Sequence, residues 1–178
     1  MIYDSQYWKN DLQKNVFFLF EKLDQKVWRE ASFAALEKRV MLSCYIVRKL
    51  AEASKIPQNL FSADVPLYRY KNAAKVVDPI NFHKVDELYE IQNAQKINNP
   101  VSYIVNQIIH SFIFWFAFNN DGRLEGILFN SDRSKNKELY MIKVQDLIDA
   151  LSPIAQCYIS RAVLERNEDG ELVVVQAE

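Results

Sequence analysis

Apolar side chains recur at steps of three and four from Ser5 to Trp28: Tyr7, Trp8, Leu12, Val16, Phe17, Phe20, Leu23 and Val27. That period predicts a helix with one buried face, capped by Asp4. A second set, Leu36, Val40, Leu42, Cys44, Ile46, Val47 and Leu50, predicts a helix from Ser32 to Ser54, stopped before Pro57. Residues 58–82 lose the period. Pro66, Pro79 and the alternation Leu67-Tyr68-Arg69-Tyr70 read as loop with a short extended piece. Asp86–Gln95 is expected as a short helix. Asn98-Asn99-Pro100 opens another, with Pro100 at its first position, running from Val101 to about Ser111.

The period then changes. Phe112–Asn119 is an aromatic run ending at Asn120-Asp121-Gly122, a hairpin signal, and Arg123–Asn130 returns as its partner. After the polar turn Ser131–Lys137, Glu138–Val144 makes a third strand. Val144–Glu165 reads as a last helix on the positions Leu147, Ile148, Leu151, Ile154, Ala155, Tyr158 and Ile159. Leu172–Val175 reads as a short strand or a tail. Helices and strands are segregated, so the expected class is α+β: helices packed on a small antiparallel three-stranded meander, one domain over residues 1–178. Phe112, Phe114, Phe116 and Phe118 point to one face of their strand, and Ile113, Trp115 and Ala117 to the other. Both faces are apolar, so helices sandwich the strand or a second subunit covers one face. With the aromatic-rich first helix, this surface leads us to expect a homodimer.

Composition narrows the function. Of 178 residues, 49% are hydrophobic, which suffices for a packed core, and the net charge of -1 argues against a domain built mainly to grip nucleic acid. The three glycines, Gly122, Gly126 and Gly170, provide no phosphate loop, no dinucleotide fingerprint and no nucleophile elbow. Two histidines and two cysteines, all far apart, give no zinc spacing, so neither metal nor cofactor is expected. Cys44 and Cys157 read as reduced core thiols. The first residues lack a basic stretch followed by an apolar one, and no apolar run reaches membrane-spanning length. A cytoplasmic protein without a membrane partner is expected.

Ser102, Asn106 and His110 lie four residues apart in Val101–Phe114, which stacks them on one helical face among Ile104, Val105, Ile108 and Ile109. Either Asn106 and His110 bond to neighbours and fix helix packing, or they belong to a site in which His110 moves protons. The string Val105-Asn106-Gln107-Ile108-Ile109-His110 resembles the R-N-x-x-x-H motif of HEPN domains, helical domains of bacterial toxin–antitoxin and abortive-infection systems. Asn106 and His110 match, Phe112 stands where an aromatic follows, and Val105 stands where the family has Arg. The resemblance implies a metal-independent ribonuclease acting as a homodimer, with Asn106 and His110 as its catalytic residues. A replacement cation would have to come from elsewhere, such as Arg39 or Arg48.

Other groups carry less. Arg133, Lys135 and Lys137 in the turn Ser131–Lys137, with Arg123 opening the neighbouring strand, are candidate nucleic-acid contacts, interleaved with Asp132 and Glu138. Arg69, Lys71, Lys75 and Lys84 form a looser basic group. His83 reads as a solvated or capping residue, and Asp146 and Asp149 as charges favouring the start of the last helix. The function expected from these features is a non-enzymatic interaction or regulatory protein, of defence or toxin–antitoxin type, with the HEPN-like ribonuclease as the alternative. Sequence supplies no identity for a protein partner.

Overall fold

In the computed structural model, which describes residues 2–159, 162–166 and 172–177, two long helices open the chain. Helix α1 spans Ser5–Lys22 and α2 spans Glu30–Glu52, followed by a single turn, α3, at Gln58–Phe61. Strand β1 (Asp64–Lys71), the turn α4 (Val85–Leu88) and β2 (Gln95–Pro100) come next. Helix α5 (Val101–Ile109) leads into β3 (Ser111–Phe118), β4 (Leu124–Ser131), β5 (Glu138–Lys143) and α6 (Val144–Gln156). Two further strands, β6 (Ala162–Arg166) and β7 (Leu172–Ala177), pair only with each other. The fold is α+β. Its main sheet is antiparallel with five strands in the order β2-β1-β5-β4-β3, so the expected three-stranded meander is only its β3-β4-β5 part.

The departures have local causes. Asp4 caps α1 as expected, accepting from the Gln6 amide at 2.8 Å. The helix stops at Lys22 because tertiary contacts claim the next residues: Asp24 binds the Arg123 guanidinium at 2.7 Å, and the Trp28 indole donates to the Gly122 carbonyl at 3.2 Å. Helix α2 begins at Glu30, ahead of Ser32, with no side-chain cap. The segment read as loop contains β1, and the expected helix Asp86–Gln95 is reduced to the turn α4, because Tyr89 bridges Asn72, Glu90 donates to the Lys71 carbonyl, and Gln95 already pairs with Arg69 in the ladder that runs to Pro100↔Asp64. Pro100 closes β2 and precedes α5 rather than opening it. The last helix ends at Gln156, and Ala162–Arg166 is strand. At that break the Lys9 ammonium, only 4% exposed, donates to the Cys157 carbonyl at 2.8 Å, where the chain has turned extended.

One sheet face packs on the helices. Val65 and Leu67 of β1, Phe114 and Phe116 of β3, Ile127 and Phe129 of β4, and Tyr140 and Ile142 of β5 meet Leu12, Val16 and Leu19 of α1 and the buried sides of α2, α5 and α6. The opposite face carries a smaller cluster, Tyr70, Ile113 and Leu139, covered by Val77, Leu88 and Tyr89 from the 72–91 segment. A register shift between Ser111 and Ile113 turns Phe112 toward that second cluster. The two-faced aromatic strand is therefore covered by helices on one side and a connecting segment on the other, with Trp115 left 50% exposed. On α1 the spacing picked out Leu12 and Val16 correctly, while Tyr7, Phe17 and Phe20 face outward. Among the described residues no helix is long and apolar enough to cross a membrane.

Backbone approach makes Gly126 sensitive. A Cβ there would sit 2.8 Å from the Ile142 carbonyl oxygen and 3.0 Å from Met141 Cγ on the neighbouring strand. Gly126→Ala is expected to destabilise by about 1–3 kcal/mol, read as a lower urea midpoint at unchanged slope. Burial pushes the Cys44 thiol up to about 12. At pH 8 a thiol reagent should therefore leave Cys44 unmodified in the folded protein and label it once denaturant is added.

Candidate functional site

Helix α5 buries Val101, Ile104, Val105 and Ile108 in the core shared with Val47 and Leu50 of α2, which packs beside it. That arrangement turns Asn106 and His110 outward, and both are exposed. The expected line of packed polar residues is thus a surface feature, with Ser102 half-buried at its start. His110 ends the helix, donating its backbone N–H to the Asn106 carbonyl at 3.1 Å, and the next residue enters β3.

Arg48 comes from α2, one residue after buried Val47, and reaches across. Its Nη1 lies 3.2 Å from His110 Nε2. A guanidinium has only donors, so Nε2 accepts and the proton of the neutral ring sits on Nδ1. Arg48 Nε also donates to Glu52 at 2.8 Å, and Lys49 Nζ donates to the other Glu52 oxygen at 2.6 Å. The hydrogen bonds from Lys49 and then Arg48 hold the Glu52 carboxyl below its usual range, so it stays ionised.

Two clefts meet at this pair. One, of about 350 Å³, is lined by Arg48, Ala51, Glu52, Gln58, Phe61 and Asn106. The other, of about 530 Å³, includes Asn106, Gln107, His110, Ser111, Asp132 and Arg133 in its wall. Asn106 belongs to both. The second cleft exists because Gln107 ties α5 to the turn after β4: its Oε1 accepts from the Ser131 amide at 3.0 Å and from Ser134 Oγ at 3.1 Å.

The basic residues singled out in sequence are dispersed. Arg133 lines the cleft with His110, but Arg123 sits at the other end of β4, paired with Asp24. Lys135 is 2.7 Å from Asp132 and lies over the Phe112 ring at 3.7 Å, and Lys137 is exposed on the same turn. Arg39 binds Asn15 at 2.7 Å and stands over Phe18, away from His110. Arg69 contacts Gln95 and Glu138, Lys84 pairs with Glu87, and Lys71 and Lys75 are exposed. His83 packs edge-on to Phe82 on the opposite sheet face. Asp146 lies in the first turn of α6, and Asp149 accepts from Gln145 at 2.8 Å. Among the described residues no group of three or more His, Cys, Asp or Glu could hold a metal ion. Comparison with family models, curated proteins and solved structures finds no match to this chain.

Gln107, Glu52, Gln58 and Phe61 were not legible as site residues. Glu52 follows Arg48 at the i+4 spacing of a helical ion pair, a signal present in the sequence. The role of Gln107 depends on a turn that lies 24 residues away from it.

Exposure sets the cost of changes here. His110→Ala should move the urea-derived stability by no more than about 0.5 kcal/mol, as for other surface positions. Ile108→Ala, two residues earlier and fully buried, should cost about 2–5 kcal/mol.

Proposed function

We propose that this protein is a metal-independent ribonuclease whose reactive centre is His110, Arg48 and Asn106. The observation that carries the reading is the 3.2 Å contact between the Arg48 guanidinium and the His110 ring at an exposed junction of two clefts. The HEPN-type motif places a cation one residue before its Asn, where this chain has Val105. Arg48 offers that charge from a neighbouring helix.

In this reading the RNA phosphate takes up Arg48, which releases His110 Nε2. The imidazole then accepts the proton of the adjacent 2′-hydroxyl as its oxygen attacks phosphorus. The new 2′-O–P bond forms as the P–O5′ bond breaks, giving a 2′,3′-cyclic phosphate, and water protonates the departing 5′-oxygen. Arg48 offsets the charge growing on the phosphate oxygens. The Asn106 side chain, exposed between the clefts, donates an amide N–H to the same group.

A second reading, a protein acting through protein contacts, is favoured by the exposed rings of Tyr7, Phe17 and Phe20 along α1 and Trp115 on β3. Purified protein incubated with mixed RNA in EDTA separates the two. The ribonuclease reading expects fragments ending in cyclic phosphate, with cleavage reduced about 10²–10⁴-fold in His110→Ala and about 10²–10³-fold in Arg48→Ala. Wild-type protein that leaves RNA intact, while light scattering shows a particle of twice the chain mass, would favour the second.

A further inference from the structure

The turn joining β4 to β5 is built as part of the cleft wall. Ser131 and Ser134 are both buried, their hydroxyls are 3.0 Å apart, and Gln107 accepts from each residue. Within the turn the charges sort themselves. Asp132 is neutralised by Lys135, whose ammonium is also held over Phe112. Arg133 is exposed, lines the same cleft as His110, and has no ion pair among the described residues. An available guanidinium thus lines the same cleft as His110, on a turn that Gln107 anchors to the helix leading to His110.

We propose that Arg133 is a second phosphate subsite and Gln107 its positioning residue, so that the protein takes a single RNA strand with consecutive phosphates on Arg48 and Arg133. This rests on the ribonuclease reading for the identity of the strand. Arg48 lines the smaller cleft and Arg133 the larger, and the two clefts share Asn106. A strand crossing this point runs from one into the other, with its scissile phosphate on Arg48 and the neighbouring one on Arg133. A guanidinium binds phosphate with two parallel N–H donors. The strand must be single, because the attacking 2′-oxygen has to lie in line with the departing 5′-oxygen, an alignment that an A-form duplex denies. Asp132, the carboxylate of this wall, does not oppose binding while Lys135 holds it.

The test uses binding, which does not depend on cleavage. Fluorescent 2′-O-methyl oligouridylates, which cannot be cleaved, are made with one internucleotide phosphate or with two, and anisotropy is followed against salt. Wild type should bind the two-phosphate probe at least tenfold more tightly. Arg133→Ala should remove that preference, leave the one-phosphate probe unaffected, and lower the salt slope for the longer probe by about 0.7. Lys137→Ala, which removes an equal charge from the same turn outside the cleft, should change neither probe. Gln107→Ala should lose the preference with Arg133 still present. Equal losses in Arg133→Ala and Lys137→Ala would overturn the subsite, as would an unchanged preference in Arg133→Ala or equal affinity of wild type for both probes. If the preference behaves as expected but wild type never cleaves RNA, the subsite stands and the ribonuclease reading falls. If cleavage holds and the preference is absent, only the subsite falls.

Discussion

The amide side chain of Asn130 is fully buried, and the sheet is arranged around its needs. Its carbonyl oxygen accepts from the Ile113 backbone at 3.2 Å, where the β3–β4 register shifts and the strand-to-strand ladder is broken. Its nitrogen donates to the Tyr89 hydroxyl at 2.7 Å and to the Glu138 carbonyl at 3.0 Å. Tyr89 passes the link on, donating to the Lys135 carbonyl at 2.6 Å. One side chain thus ties β3, β4, β5 and the 72–91 segment at the end of the sheet where β3 begins. A buried polar group left without partners costs about 1–3 kcal/mol, so any of these elements that moved would leave a donor or acceptor unsatisfied. Burial pushes the Tyr89 hydroxyl up to about 12 against the opposing effect of the Asn130 bond, so the phenol remains a donor throughout the physiological range.

That end of the sheet is also where the candidate site lies. His110 is separated from β3 by no linker, so the register fixed at Ile113 fixes where the end of α5 can be. From the other side, Ser131 leaves β4 directly after Asn130 and is taken up by Gln107. The ring that reacts in the proposed mechanism and Arg133 on the turn therefore each lie within three residues of a backbone position fixed at the same buried amide. Tyr140 and Tyr103 add a second tie on the helix face, their hydroxyls 2.7 Å apart, with Tyr140 donating to Glu138. Exposed groups placed on such a base need little packing of their own, which is how a polar site fits into a chain this rich in apolar residues.

What could be read from sequence follows from the range of the forces involved. Asp4 capping α1, the aromatic hairpin around Asn120-Asp121-Gly122 and the buried stripe of α5 are local, and local spacing exposes them. Strand β2 was not legible, because Gln-Lys-Ile-Asn-Asn-Pro has no alternation and, apart from Ile97, no strand-forming residue, and it is extended through its pairing with β1. The end of α1 was misplaced because Asp24 and Trp28 answer to Arg123 and Gly122, about a hundred residues on. The spacing of Asn106 and His110 was visible, but its meaning was open until a partner 62 residues away in sequence, Arg48, was placed beside the ring. The two-sided apolar strand was read correctly as two-sided. That an irregular segment, rather than a second layer of helices, covers its far face depends on Val77, Leu88 and Tyr89, which no period marks.

The hold on Arg48 has a consequence for how the pair would operate. Its guanidinium is divided between Glu52, on its own helix, and His110, and the Arg48 side chain remains about a third exposed. An ion pair with this much solvent is weak and screened by salt. Glu52 is in turn shared with Lys49, which supplies the larger part of what keeps the carboxyl ionised. If Arg48 turned toward an incoming anion, Glu52 would keep Lys49 and no buried charge would be stranded. His110 would lose a donor and gain a free lone pair in the same movement. In the proposed mechanism, binding of a phosphate and exposure of the basic nitrogen would thus be one event, and the imidazole would be masked whenever the anion is absent. A fixed, fully paired arginine would neutralise the site without that coupling. The shallow, partly exposed setting of Arg48 therefore suits the proposed chemistry better than a buried salt bridge would.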